Sequence, residues 1–265
     1  WGYIMNKLTM LDYVKETPGV LRTNIEQYTT LVDPLMKEVQ QKEIKRILLV
    51  ASGSSHNACY CARSFVEKVS GLEVRIITPY TFTYYENDIK EDDLVLVVTQ
   101  SGLSTNAIEA LKIIKKKECK AICLTGNKNS DVKDVADVVI EYGVGEELVG
   151  YVTKGVSSLA LFLDLFAIAY SGKTEYLDEL KKAADLNEEM IDQATNFIQR
   201  HYKNFTSMSW VYSCGAGANY GTALESALKM GETIHIPSCC YEIEEYIHGP
   251  NLQLTPQYNV IFFDG

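Results

Sequence analysis

Lys45-Arg46-Ile47-Leu48-Leu49-Val50-Ala51-Ser52-Gly53-Ser54-Ser55 decides how this chain is read. Its apolar half carries no polar alternation, the pattern of a strand covered on both faces in a parallel sheet. Its second half is Ser and Gly, and residues 57–69 follow with helical periodicity. Strand, small-residue turn and helix make the first step of a βαβ unit. Outward from this point, 74–77, 94–99, 120–125 and 138–140 read as further strands, with helices over 105–117 and 153–170. Upstream, 8–16 and 20–41 read as helices separated by a break at Thr17-Pro18-Gly19.

The pattern then starts again. A long amphipathic stretch, 174–202, reads as a connecting helix. It is followed by a strand at 209–213, the turn Cys214-Gly215-Ala216-Gly217-Ala218-Asn219, and a helix over 220–232. Laid over the first turn, Gly53 meets Gly215 and Asn57 meets Asn219. The expected fold is therefore α/β: two tandem units, each a doubly wound, flavodoxin-like parallel sheet flanked by helices. The second unit reads as incomplete, because 258–263 is only its second or third strand and the sequence stops at Gly265. The expected division is N-terminal helices over 1–42, a first unit over 43–172, a connecting helix over 173–203 and a truncated second unit over 204–265.

Composition narrows the function classes. The 265 residues carry a net charge of −10 and are 46% hydrophobic, enough for a sizeable core. An acidic chain offers no positive surface to nucleic acid or an anionic membrane, so neither is expected as a partner. It can still hold a small anion, because backbone N–H groups at a helix start do that without net charge. No stretch reads as long and apolar enough to cross a bilayer. Trp1-Gly2-Tyr3-Ile4-Met5 lacks the regions of a signal peptide. The seven cysteines show no C-x-x-C spacing, and no H-x-x-x-H pattern occurs. These features predict a cytoplasmic protein with reduced thiols and no metal site.

Three loops are candidate anion sites, each just before a helix: Ser52-Gly53-Ser54-Ser55-His56-Asn57, Thr99-Gln100-Ser101-Gly102-Leu103-Ser104-Thr105 and Gly150-Tyr151-Val152-Thr153-Lys154. Each alone is an ordinary helix cap. Together at one sheet edge they point to a polar nest for phosphate oxygens, and they lack the Walker pattern. Glu225, Lys229 and Glu232 lie on one helix face. They read either as a solvated Glu–Lys ladder or as a carboxylate base with Lys229 holding Glu225, and periodicity leaves both open. His248 sits in the rigid Gly249-Pro250 context and could exchange protons near neutral pH. His56 could line the cleft beside the first loop, while His201 and His235 look incidental.

Taken together, these stretches resemble the sugar isomerase (SIS) family, above all the isomerase half of glutamine:fructose-6-phosphate aminotransferase and the fructosamine-6-phosphate deglycases. The matching motifs are Ser52-Gly53-Ser54-Ser55, Thr99-Gln100-Ser101-Gly102-Leu103-Ser104, the ungapped A-L-E-x-A-L-K-x-x-E over 223–232, and E-x-x-H-G-P over 245–250. The resemblance implies that Ser54, Ser55, Gln100, Ser101 and Ser104 bind the sugar phosphate and hydroxyls. Gly53, Thr99, Val152, Glu225 and Lys229 would complete the substrate site. It implies that Glu232 moves a proton between adjacent sugar carbons and that His248 assists ring opening from a neighbouring subunit. It further implies a homodimer or higher homo-oligomer with shared sites and no cofactor. Leu103 stands where the synthase branch commonly has Glu, Ile247 where relatives carry Lys or Arg, and the Ser preceding Thr153-Lys154 is absent. The implied function is a phosphosugar isomerase or deglycase acting on an amino-sugar phosphate or a fructosamine 6-phosphate. The alternatives are the isomerase part of a glucosamine-6-phosphate synthase-like aminotransferase and a non-catalytic phosphosugar-binding regulator.

Overall fold

The computed structural model describes residues 7–40 and 42–264; the readings made at residues 1–5 and at Gly265 fall outside them. Helices α1 (Met10–Glu26) and α2 (Tyr28–Val39) precede the first unit. That unit runs β1 (Arg46–Val50), α3 (Ser54–Ser70), β2 (Glu73–Ile77), α4 (Pro79–Tyr84), β3 (Asp93–Thr99), α5 (Thr105–Lys116), β4 (Ile122–Thr125), β5 (Val138–Glu141) and α6 (Lys154–Ser171). The five strands pair in parallel in the order β2-β1-β3-β4-β5. Ile47 and Leu49 of β1 face a core shared with α1, α2, α3 and α6, while Leu48 and Val50 face α4 and α5. Every residue of β3 is buried, which is what its non-alternating apolar run encodes. At the start of the sheet Arg46 grips the Asp93 carboxylate with two hydrogen bonds of 2.8 and 2.7 Å.

Two expectations fail here. Helix α1 passes straight through Pro18 to Glu26, and the break before α2 falls at Gln27. An interior Pro costs about 3 kcal/mol, but Tyr13, Pro18, Leu21 and Ile25 are all buried along the helix. The Thr17 hydroxyl also donates to the Tyr13 carbonyl at 2.9 Å within the same stretch of helix. Contrary to the second expectation, α6 is long and apolar enough to cross a membrane by length and composition. In the fold it is a core helix: it packs against α1, α2 and α3, with Phe162, Leu165 and Phe166 fully buried.

The second unit follows α7 (Leu177–Arg200) and α8 (Tyr202–Thr206), with His201 breaking the expected single connecting helix. It comprises β6 (Trp210–Gly215), α9 (Ala218–Lys229), β7 (Ser238–Glu242), α10 (Ile243–Ile247) and β8 (Tyr258–Phe263). Its parallel sheet has the order β7-β6-β8, repeating β2-β1-β3. Strand β7 escaped the sequence reading because Ser238-Cys239-Cys240-Tyr241-Glu242 has neither an apolar run nor clear alternation. The repeat also corrects the register. Gly53 precedes α3 at φ 58° and ψ −138°, and Gly217 precedes α9 at φ 57° and ψ −128°. Gly53 therefore corresponds to Gly217, not Gly215, and Asn57 corresponds to Gly221. Helices α3 and α9 cross at this point. A Cβ on Gly221 would lie 2.5 Å from the Cys61 nitrogen and 2.8 Å from the Asn57 carbonyl oxygen, so only glycine fits.

Candidate functional site

In the first sheet the connections leave β1 and β3 in opposite directions, and a crevice opens beyond their carboxyl ends. Helices α3 and α5 both start there, presenting N–H groups without helical partners. The resulting cleft has a volume of about 1170 Å³ and is lined by Gly53, Ser54, Ser55, Thr99, Gln100, Ser101, Ser104, Val152 and Glu232. Nine of the residues expected at the site thus meet in one cavity. Ser104 also caps α5, its Oγ accepting the Ala107 N–H at 3.4 Å, and the Ser101 Oγ accepts the Leu103 N–H at 3.2 Å. Acting as acceptors, both hydroxyls keep a proton to donate to a phosphate oxygen.

Glu225 and Lys229 do not line the cleft; they stand one layer behind it. The Ser54 hydroxyl donates to Glu225 Oε1 at 2.9 Å and accepts from Lys229 Nζ at 3.0 Å. Asn57 Nδ2 donates to Glu225 Oε2 at 2.9 Å, and Lys229 Nζ lies 3.0 Å from Glu225 Oε1. The same ammonium donates to Glu232 Oε2 at 2.6 Å. Its three N–H donors are thereby directed at Ser54, Glu225 and Glu232. The two readings of the Glu–Lys face resolve into a third: not a solvated ladder, but a bracket fastening the α3 turn to Glu232. Helix α9 ends at Lys229 and continues in a single π-helical turn, Met230–Ile234, which carries Glu232. Such widened turns recur at functional sites.

Two expectations, the third loop and His56, need correction. The third loop is not an open anion site, because the Glu147 carboxylate already accepts the N–H groups of Thr153 and Gly155 at the start of α6. His248, expected to act from a neighbouring subunit, is exposed at the end of α10 with its Nδ1 2.7 Å from the Glu244 carbonyl oxygen. His56 packs edge-on against Tyr60 at 5.0 Å, and burial holds its pKa below the usual histidine range. The sequence reading missed Asn57 as a ligand of Glu225. It also missed the segment 143–149, which lines the cleft with Glu146 and Glu147; the glycines at 143 and 145 were its available signal. Among the described residues, no group of three or more His, Cys, Asp or Glu is placed to hold a metal ion. All seven cysteines are free.

Residues 42–169 match the profile of the SIS domain family. The chain carries a SIS domain. Among curated proteins, a glutamine–fructose-6-phosphate aminotransferase of Thermotoga maritima is 29% identical over 229 residues, covering 83% of this chain and 37% of its own length. The chain thus spans well under half the length of that relative. Among solved structures, a candidate phosphosugar isomerase of Clostridium difficile 630 superposes with a TM-score of 0.87 at 27% identity, covering 97% of this chain and 75% of that one. A glucosamine-6-phosphate deaminase of Thermotoga maritima shares the fold, with a TM-score of 0.81 at 21% identity and coverages of 96% and 76%. The SIS domain accounts for the β1–α6 unit, and the cleft described above sits at its sheet edge.

Proposed function

We propose that the protein is a phosphosugar isomerase or deglycase acting on an amino-sugar phosphate or a fructosamine 6-phosphate. The observation carrying this reading is that Ser55, Ser101, Ser104 and Glu232 line a single cleft, with Lys229 bridging Ser54 to Glu232. Two helix starts and three hydroxyls supply donors for a phosphate. Glu232 then stands as the base for a proton on a carbon next to the open-chain carbonyl or imine. A carboxylate in that position takes the proton from one carbon and returns it to its neighbour, shifting the double bond between them. Lys229 holds the carboxylate in place, so its orientation does not depend on the substrate.

His248, on the second unit, serves ring opening in the cleft of a neighbouring subunit of a homo-oligomer, which accounts for its exposure here. A second reading, the isomerase part of an aminotransferase, draws on the identity to the Thermotoga maritima aminotransferase. Purified protein offered glucosamine 6-phosphate and fructosamine 6-phosphates separates these readings from a purely binding role. Turnover abolished by Glu232→Gln is the expected result. Tight binding of these compounds without turnover, unchanged by Glu232→Gln, would instead mark a regulator.

A further inference from the structure

One wall of the cleft is a strap, residues 143–152, joining β5 to α6. None of its residues belongs to a helix or strand, so its backbone must find hydrogen bonds outside any regular ladder. Helix α1 supplies them. Tyr13 Oη accepts the Leu148 N–H at 3.0 Å, and Asn24 Nδ2 donates to the Gly143 carbonyl at 3.0 Å. Lys154, just past the strap, pairs with Glu16 at 2.8 Å, and its Nζ sits 5.1 Å from the centre of the Tyr13 ring. Tyr13, Lys154 and Asn24 are buried in these contacts, at 1%, 4% and 7% exposed, while Glu16 stays exposed. Gly143 is seated so closely that a Cβ there would fall 2.7 Å from the Asn24 amide. Behind the strap lies a cavity of about 420 Å³, bounded by Glu16, Gly19, Val20, Thr23 and Asn24 of α1. A strap released from α1 has room to move into it.

We propose that Tyr13, Glu16 and Asn24, none of which lines the cleft, are positioning residues for the sugar-phosphate site. Helix α1 sets how far the strap stands from the Ser54–Ser55 and Ser101–Ser104 loops, and so sets the width of the cleft. This rests on reading the cleft as a phosphosugar site. Cutting a tether adds strap conformations that ligand binding must then remove, so affinity falls. Glu232 is carried by a different element and keeps its bracket, so turnover changes less than KM.

The experiment measures amide hydrogen exchange on the full chain without ligand, then calorimetric titration with glucosamine 6-phosphate. Tyr13→Phe keeps the buried ring and removes only the hydroxyl. It is expected to speed exchange at the Leu148 amide and weaken binding by roughly fivefold, the worth of one hydrogen bond, while β1 and β3 amides exchange as in the wild type. Asn24→Ala is expected to act in the same direction through Gly143. Unchanged exchange or unchanged affinity in both variants overturns the proposal. A wild type that binds neither glucosamine 6-phosphate nor fructose 6-phosphate removes the phosphosugar reading itself, and with it the ligand role given to α1. The two failures are therefore distinct.

Discussion

Gly53 and Gly217 hold nearly the same backbone angles at the starts of equivalent helices, yet the two turns lead to different chemistry. After Gly53 come Ser54 and Ser55, and the turn opens into the large cleft. After Gly217 come Ala218 and Asn219, and no Ser or Thr follows until Thr222. The second unit contributes instead from the far end of its helix: Glu225 and Lys229 reach back to Ser54, and Lys229 also holds Glu232. The repeated backbone sets where a ligand could sit; the side chains decide which copy holds it. In the proposed reaction the first copy is the binding half and the second supplies the acid–base half.

The sharpest way to break that division of labour is Glu232→Gln. Turnover on a sugar phosphate is expected to fall about 1000-fold, near 4 kcal/mol in the barrier, with the melting temperature almost unmoved because Glu232 is half-exposed. A comparable loss from Asn219→Ala would move the chemistry to the second turn and defeat the comparison.

Next in size is a stability difference inside the first unit. Asp93 is 2% exposed and bound by Arg46, and Asp93→Asn is expected to cost roughly 3 kcal/mol by leaving a guanidinium with half its partner. Burial alone would raise the Asp93 pKa, but Arg46 and the Lys90 N–H outweigh it and hold the carboxyl below its ordinary value. The folded-state pKa is thus lower than the unfolded one, about 3.9. The stabilisation is present above that pH and lost as pH falls through the folded value. Urea titrations from pH 3 to pH 7 should show the wild type and Asp93→Asn converging at the acid end.

The glycine pair gives a smaller, more discriminating effect. Gly53→Ala and Gly217→Ala should each cost about 2 kcal/mol, because a side chain at positive φ is strained even with open space around it. Only Gly53→Ala should also weaken sugar-phosphate binding. Equal binding losses from both would show that the second turn is part of a site. Smallest is Ser101→Ala, expected to weaken affinity about fivefold through one lost hydrogen bond, read by calorimetry, with no change in stability.

Much of this architecture was legible in the residues. Strands β1, β3 and β4 of the first unit carry near-continuous apolar runs because both faces of the sheet are covered there, and β3 shows it most plainly, whereas edge strand β2 exposes Glu73 and Arg75. The hydroxyl loops were legible because helix starts after such strands fall at the sheet's carboxyl edge. Strand β7 was not, since Ser238 and Cys240 are only half-buried and Cys239 is exposed, beside an aromatic cluster around Tyr212 and Tyr246. Pro18 misled because tertiary burial outweighed a local rule. The register slipped by two residues because Gly215 and Gly217 look alike in sequence, and only the backbone angle separates them. Glu147 at the α6 start could not be foreseen: a side chain that fills an anion site from six residues upstream leaves no periodic mark.

The most direct measurement is a crystal structure of the protein soaked with glucosamine 6-phosphate. The account predicts the phosphate within hydrogen-bond reach of Ser55, Ser101 and Ser104, with the sugar chain running toward Glu232. A phosphate seated at the Gly217 turn, or a sugar whose reacting carbons face away from Glu232, would contradict it.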